Sequence, residues 1–196
     1  MIRGIQAGIS YPIELEENSV NLGHGPTSIR AYARALRFAD CPVLFLDSDG
    51  QYLLSDLQRV LDLGIKNPNT ICVGVRTDRQ DPFYRRFVSV ILRVIVRARF
   101  RVSSSDPNTP VRLYPHHVLE QLSGKIPNDS LIPNIWLTVL AGQSNFVTEE
   151  VKIRHRQRVG ENRVGSTWRT KNSPRVAPVL RLFRFALRAT SELIRR

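Results

Sequence analysis

Val43-Leu44-Phe45-Leu46-Asp47-Ser48-Asp49-Gly50-Gln51 is the stretch on which the fold turns. An uncharged apolar run, too short for a buried helix, ends in two carboxylates one residue apart. That is the pattern of a buried strand delivering paired acids to the edge of a sheet. Gly50 lets the backbone turn directly after them. Aspartates at i and i+2 can offer oxygen ligands to a hard divalent cation that keeps its other positions for substrate phosphates. The chemistry this suggests is Lewis-acid activation of a diphosphate leaving group. An isolated Asp-x-Asp also serves as an ordinary polar turn, so the flanking sequence has to decide.

Upstream, Ile13 to Leu15 is a short strand candidate, and Asn21-Leu22-Gly23-His24-Gly25-Pro26 is a strong loop signal. Thr27 or Ser28 can cap a helix that runs to Phe38, and Asp40-Cys41-Pro42 ends it. The result is a βαβ unit. Downstream, Ser55 caps a helix to Leu63 with Gly64 as its stop, and Thr70 to Val75 is the next strand. Phe83 to Phe100 is expected as a long helix because Arg86, Arg93, Arg97 and Arg101, the last just past its end, are spaced by 7, 4 and 4 residues and so stack on one face. Pro107, Pro110 and Pro115 interrupt the chain. Short helices follow at His116 to Leu122 and Pro133 to Ala141, then a strand at Val147 to Ile153. Arg154 to Arg175 is a basic loop, and Val179 to Arg196 is a basic amphipathic helix with Leu180, Phe183, Leu187 and Ile194 on its apolar face.

Composition narrows the partners. The 196 residues suit one domain with a real core, and 42% hydrophobic against 23% charged residues is ordinary for a globular chain. The net charge of +12 is not ordinary, and it implies phosphates, nucleic acid or an acidic membrane surface. Arginine carries most of it, which favours forked recognition of phosphate. Cys41 and Cys72 stand in no CxxC pair and are expected as small core residues in a reducing compartment. No apolar run is long enough to span a bilayer, and no signal-peptide core follows Met1-Ile2-Arg3-Gly4.

Taken in order, six stretches resemble the family 2 glycosyltransferases of GT-A fold, in the branch of dolichyl-phosphate mannosyltransferase and the bacterial polyprenyl-phosphate glycosyltransferases. They are Asn21 to Gly25, Asp47 to Gln51, Gly74-Val75-Arg76 with Arg79 and Asp81, Arg86 with Ser89, Asp106, and His155 to Gly160. The resemblance implies a mixed α/β sheet flanked by helices. It implies a catalytic domain over residues 1–170 and a basic amphipathic helix over 171–196. Asp47, Asp49 and Gln51 would hold Mg²⁺ or Mn²⁺ against the diphosphate of a nucleotide-sugar donor, with Asp49, Arg76 and Asp106 at the catalytic centre. Gly23, His24, Gly25, Arg79, Arg86, Ser89, His155, Arg156 and Arg158 would bind substrate. Arg79 and Arg86 would meet the acceptor's phosphate, and His155, Arg156 and Arg158 would close over the diphosphate from a loop.

The acceptor implied is a polyprenyl phosphate, which at neutral pH is already a nucleophile and needs no general base. The protein would then sit peripherally on the cytoplasmic face of a membrane, its two basic amphipathic helices in the interface. Nucleic acid is not an expected partner, because no aromatic stacking platform is interleaved with the basic residues and no zinc or RNP-like motif is present; a basic nucleic-acid-binding protein, suggested by the net charge and the Arg154 to Arg175 loop, stays as the weaker alternative. A non-catalytic membrane-surface scaffold of the same fold stays open. Family members begin with a strand, a Pro-x-x-Asn-Glu type turn and a further helix and strand, and no such segment precedes Ile13. About one βαβ unit is expected to be missing. Weak or absent activity, and a sheet edge open to self-association, follow as expectations.

Overall fold

The computed structural model describes residues 14–38, 40–78, 83–156 and 177–195. Along the chain run α1 (His24–Ala35), β1 (Val43–Phe45), α2 (Leu54–Lys66), β2 (Ile71–Thr77), α3 (Phe83–Phe100), β3 (Arg112–Tyr114), α4 (His116–Ser123), α5 (Pro133–Gln143), β4 (Thr148–Arg154) and α6 (Ala177–Arg195). The four strands make one mixed sheet in the order β1-β3-β2-β4. β3 is antiparallel to both β1 and β2, whereas β2 and β4 are parallel. β1, β2 and β4 therefore point the same way, and their C-terminal ends share one edge with the chain entering β3. The fold is α/β with an open, mixed sheet.

Side-chain alternation along the strands builds two apolar layers. Ile71, Val73 and Tyr114 face the larger one, where they meet Leu92 and Val96 of α3, Ile135 and Leu137 of α5, and Ala189 and Leu193 of α6. Cys72, Val111, Leu113 and Ile153 face the other, under Val60 of α2. α2 approaches the sheet so closely at Gly64 that a Cβ there would lie 2.1 Å from Leu113 Cδ2. α5 is buried on nearly all sides, with Pro133 in its first turn, where a missing N–H costs nothing. Glu192 pins α6 to α5, accepting from Trp136 Nε1 at 2.6 Å and from the Leu131 amide at 3.1 Å.

Several sequence expectations change here. α1 starts at His24 behind Gly23, and Ser28 donates back to the His24 carbonyl at 2.9 Å instead of capping. α2 runs through Gly64 to Lys66, so that glycine serves close packing, not a helix stop. β3 lies between Pro110 and Pro115, where the prolines pointed to interruption. Cys72 is buried as expected, but Cys41 is exposed. Glu14 and Leu15 carry no strand. On α6 the residues that enter the core are Ala189 and Leu193, while Phe183, Leu187 and Ile194 of the expected apolar face are exposed. Ile13 and most of the basic loop before α6 lie outside the described residues.

The two sheet edges differ. β4 shows solvent Thr148, Glu150, Lys152 and Arg154, a charged edge that discourages further pairing. Among the described residues β1 pairs only with β3, and its Val43-Leu44-Phe45 carries no charge.

Candidate functional site

Because β1, β2 and β4 end at the same edge, topology gathers the acid loop after β1, the Arg76–Thr77 end of β2, the Arg154–His155–Arg156 segment after β4, and the Asp106 turn that leads into β3. In open α/β sheets that edge is where ligands collect. Gly50 turns the acid loop at a φ of 71°, a left-handed conformation that suits a glycine. The Gln51 amide donates to Asp49 Oδ1 at 3.3 Å, which closes the loop on its own carboxylate.

Gln51 also clamps this loop to the chain leaving β4. Its carbonyl accepts from the Arg156 amide at 2.9 Å, and its side-chain Nε2 donates to the Arg156 carbonyl at 2.9 Å. The His155 amide donates to the Thr77 carbonyl at 3.2 Å, and the His155 ring lies 5.8 Å from that of Tyr52. Beneath them, Asp56 at the start of α2 is 1% exposed and accepts from the Arg154 amide and from Arg59 Nη2, both at 2.8 Å. Burial alone would raise the Asp56 carboxyl. The Arg154 amide and the Arg59 and Arg154 guanidinium groups outweigh it and hold the group below the usual carboxylate range.

Across the site, Arg76 makes a two-pronged pair with Asp106, Nε to Oδ2 at 2.6 Å and Nη2 to Oδ1 at 2.9 Å, with the two side chains 12% and 7% exposed. Tyr52, next to Gln51, is buried between these groups' elements. Burial pushes its phenol well above the ordinary value; Arg76 acts in the opposite sense, and Asp47, Asp49 and Asp106 add to the rise. All four charges therefore act on one hydroxyl. Asp47 also contributes, behind burial and the charge effects of Tyr114 and Arg112, to the field on Tyr32 of α1, whose phenol is likewise pushed up.

Next to the Arg76–Asp106 pair is a cavity of about 240 Å³ lined also by Arg86, Ser89, Val90 and Arg93 of α3 and by Ser105 and Pro107. Arg93 Nη1 reaches the Ser105 carbonyl at 3.4 Å. Arg112 underlies the wall. It is 1% exposed and donates to the carbonyls of Pro107 and Thr109 at 2.7 and 2.8 Å and to the Tyr114 hydroxyl at 3.3 Å. Thr109 Oγ1 bonds the Gly74 carbonyl at 2.5 Å, so the Asp106 turn is tied to β2 as well.

The structure thus brings together Asp47, Asp49, Gln51, His155 and Arg156 at one end, and Arg76, Arg86, Ser89 and Asp106 at the other. Gly23, His24 and Gly25 form the start of α1, and among the described residues none of them is hydrogen-bonded to the acid loop. Gly25 has a packing reason instead, since a Cβ there would fall 2.0 Å from the Ser130 carbonyl oxygen. Arg79 and Arg158 lie outside the described residues. Sequence reasoning did not single out Tyr52, Asp56 or Arg112. Tyr52 could have been found from its place beside Gln51, but nothing local marks a buried arginine on a three-residue strand. Arg93 was legible only as one member of the arginine stripe.

Among the described residues no three His, Cys, Asp or Glu side chains form a metal-holding group. The donors at the acid loop suit a different kind of site. Two carboxylates with a neighbouring amide match a hard divalent ion that completes its shell from phosphate and water. No protein-family model matches the chain, and no curated protein matches it.

Proposed function

We propose that this chain carries a glycosyltransferase site of the family 2, GT-A type, moving a sugar from a nucleotide-diphosphosugar to a polyprenyl phosphate at a membrane surface. The observation that carries the reading is that the acid loop is clamped through Gln51 to Arg156 at the β4 exit, while the Arg76–Asp106 pair stands at the same sheet edge. An acid pair and a basic cavity at one sheet edge are what a reaction between two phosphate-bearing substrates requires.

Asp47, Asp49 and Gln51 are the residues that would hold Mg²⁺ or Mn²⁺, and the bound ion would neutralise charge on the departing nucleoside diphosphate. Arg156, fixed to Gln51 through both main-chain groups, would lie along the diphosphate. On the other side, Arg86 and Arg93 would receive the acceptor phosphate, with Ser89 as a hydroxyl donor. Arg76 would complete this wall, and Asp106 would hold its guanidinium plane in one orientation. The acceptor phosphate attacks the anomeric carbon as the sugar–phosphate bond breaks, with inversion and no general base.

The membrane part rests on α3 and α6, which pack on each other. Phe87, Val90 and Val94 of α3 follow one another at helical spacing and are exposed, beside Arg86, Arg93 and Arg97. Phe183, Leu187 and Ile194 of α6 are exposed too. Apolar residues with arginine flanks suit an interfacial helix on anionic lipid. Val90 and Arg93 line the acceptor cavity itself, which would put a lipid-borne phosphate at its mouth. The attachment proposed is peripheral, on the cytoplasmic face; among the described residues no helix is long and apolar enough to cross a membrane.

Calorimetry with UDP-, GDP- and dTDP-sugars, with and without Mn²⁺, tests the reading. Binding that requires Mn²⁺ and is lost in Asp49→Ala is the expected result. Metal-independent binding, or binding that survives the substitution, refutes it. Vesicle flotation that persists in Asp49→Ala without any nucleotide binding would support the non-catalytic scaffold instead.

A further inference from the structure

We propose that the cavity bounded by β2, α5 and the chain leaving α3 binds a small organic monocarboxylate, its carboxylate on Arg112 and Tyr114 and its apolar body against α5. The site is independent of the transferase reading, and it shares no lining residue with the cavity beside the Arg76–Asp106 pair.

Arg112 carries the argument. It lies in the middle of the sheet, on β3 opposite Phe45 of β1 and Val73 of β2, and is 1% exposed. A charge so deeply buried ordinarily has an opposite charge against it. The acceptors of Arg112 are all neutral, the carbonyls of Pro107 and Thr109 and the Tyr114 hydroxyl, and among the described residues no carboxylate pairs with it. A guanidinium offers more N–H donors than these bonds use. Tyr114, wholly buried, is placed alike: its oxygen accepts from Arg112 Nη1 at 3.3 Å, and among the described residues its own proton has no acceptor. Burial, against the opposing effect of Arg112, pushes that phenol above its ordinary value, so it stays a donor at neutral pH. A charged donor and a neutral one thus stand side by side, the pairing from which an oxyanion accepts.

Both residues line a cavity of about 370 Å³ whose inner wall is apolar, with Ile71 and Val73 of β2 facing Leu137 and Ala141 of α5. Exposed at the rim are Arg101 and Glu150, whose charges offset each other. Arg112 therefore leaves one positive charge in surplus, which matches a monoanion and disfavours a phosphate dianion. Glu150 is itself engaged, accepting from the Ser105 amide at 2.8 Å and the Ser104 hydroxyl at 3.3 Å. A planar carboxylate meets the guanidinium fork in its own plane. At roughly 30 Å³ for a water-sized group, the volume takes on the order of ten non-hydrogen atoms, the size of a medium-chain fatty acid.

Octanoate is the probe, titrated calorimetrically into the full-length protein beside 1-octanol and inorganic phosphate. Octanoate should bind, and the other two should bind at least about tenfold more weakly. Arg112→Met should lower octanoate affinity by about tenfold to a hundredfold, the range for hydrogen bonds to a charged group. Tyr114→Phe, which removes only the hydroxyl, should lower it by a smaller factor. Thr148→Trp sets a ring over the mouth from an exposed position outside the core, so it tests the site even where Arg112→Met fails to fold. It should abolish binding and leave the melting temperature unchanged. Octanol or phosphate binding as tightly as octanoate overturns the proposal, as does octanoate affinity that survives Arg112→Met or Thr148→Trp. A wild type that binds no octanoate at millimolar concentration overturns it too, and leaves Arg112 a strut for the turn before β3.

Discussion

Replacing Asp56 by Asn tests whether the scaffold beneath the site is held electrostatically. The Asp56 carboxylate, 1% exposed, joins the first turn of α2 to the end of β4. Its two short contacts, both 2.8 Å, go to the Arg154 amide and to Arg59 Nη2. Hydrogen bonds to a charged group contribute about 1.5–3 kcal/mol each when buried. The guanidinium groups of Arg59 and Arg154 are 54% and 59% exposed and are re-solvated on loss of the partner, so their share is discounted to about 0.5–1 kcal/mol. An asparagine oxygen can still accept from the Arg154 amide, but its NH₂ then faces cationic donors. The sum is about 2–4 kcal/mol, or roughly 4–16 °C in melting temperature for a chain of this size.

The pH dependence carries the sign. The folded-state carboxyl titrates below its unfolded value, so its stabilisation is fully present above about pH 4 and is lost as pH falls through the folded value. Wild type and Asp56→Asn should differ most at neutral pH and converge in acid. Thermal melts by circular dichroism from pH 7 down to about pH 3 measure this. Equal melting temperatures at pH 7, or a gap that stays constant into acid, would refute the reasoning.

Two further substitutions probe other parts of the fold. Gly25→Ala drives a Cβ into the Ser130 carbonyl and should cost at least the 1–3 kcal/mol typical of overpacking, seen as a lower melting temperature; an unchanged melt would show that α1 can shift freely. Asp106→Asn leaves Arg76, 12% exposed, without its two-pronged carboxylate partner, and about 2–4 kcal/mol should be lost in urea unfolding. The same variant should weaken any acceptor-phosphate binding, because the guanidinium is no longer held in one plane. A variant as stable as wild type would show that Asp106 does not hold Arg76.

Much of the architecture was legible in local pattern. The 3.6-residue repeat marked the Phe83–Phe100 helix, although Arg101, counted on its arginine face, lies past its end at a φ of 58°, and the apolar run ending in acids marked β1 and its loop, although β1 is half-buried at the end of the sheet instead of fully buried. Where the pattern was too short or was contradicted by composition, it misled. Arg112-Leu113-Tyr114 is a central strand only because β1 and β2 flank it on both sides, a condition no window of three residues can carry. Gly64 looked like a helix stop because a glycine's role depends on what stands opposite it, here Leu113.

The sequence by itself determined the α/β class, the basic character and the acid pair, because strand length, charge and residue type are properties of the chain taken locally. Only the tertiary structure decided that Arg76 faces Asp106, that Gln51 clamps Arg156, that the Tyr52 ring lies against His155, and which side of α6 enters the core. Those outcomes depend on which strand lies beside which. Strand order is set by summed burial over the whole sheet and cannot be recovered from any one segment.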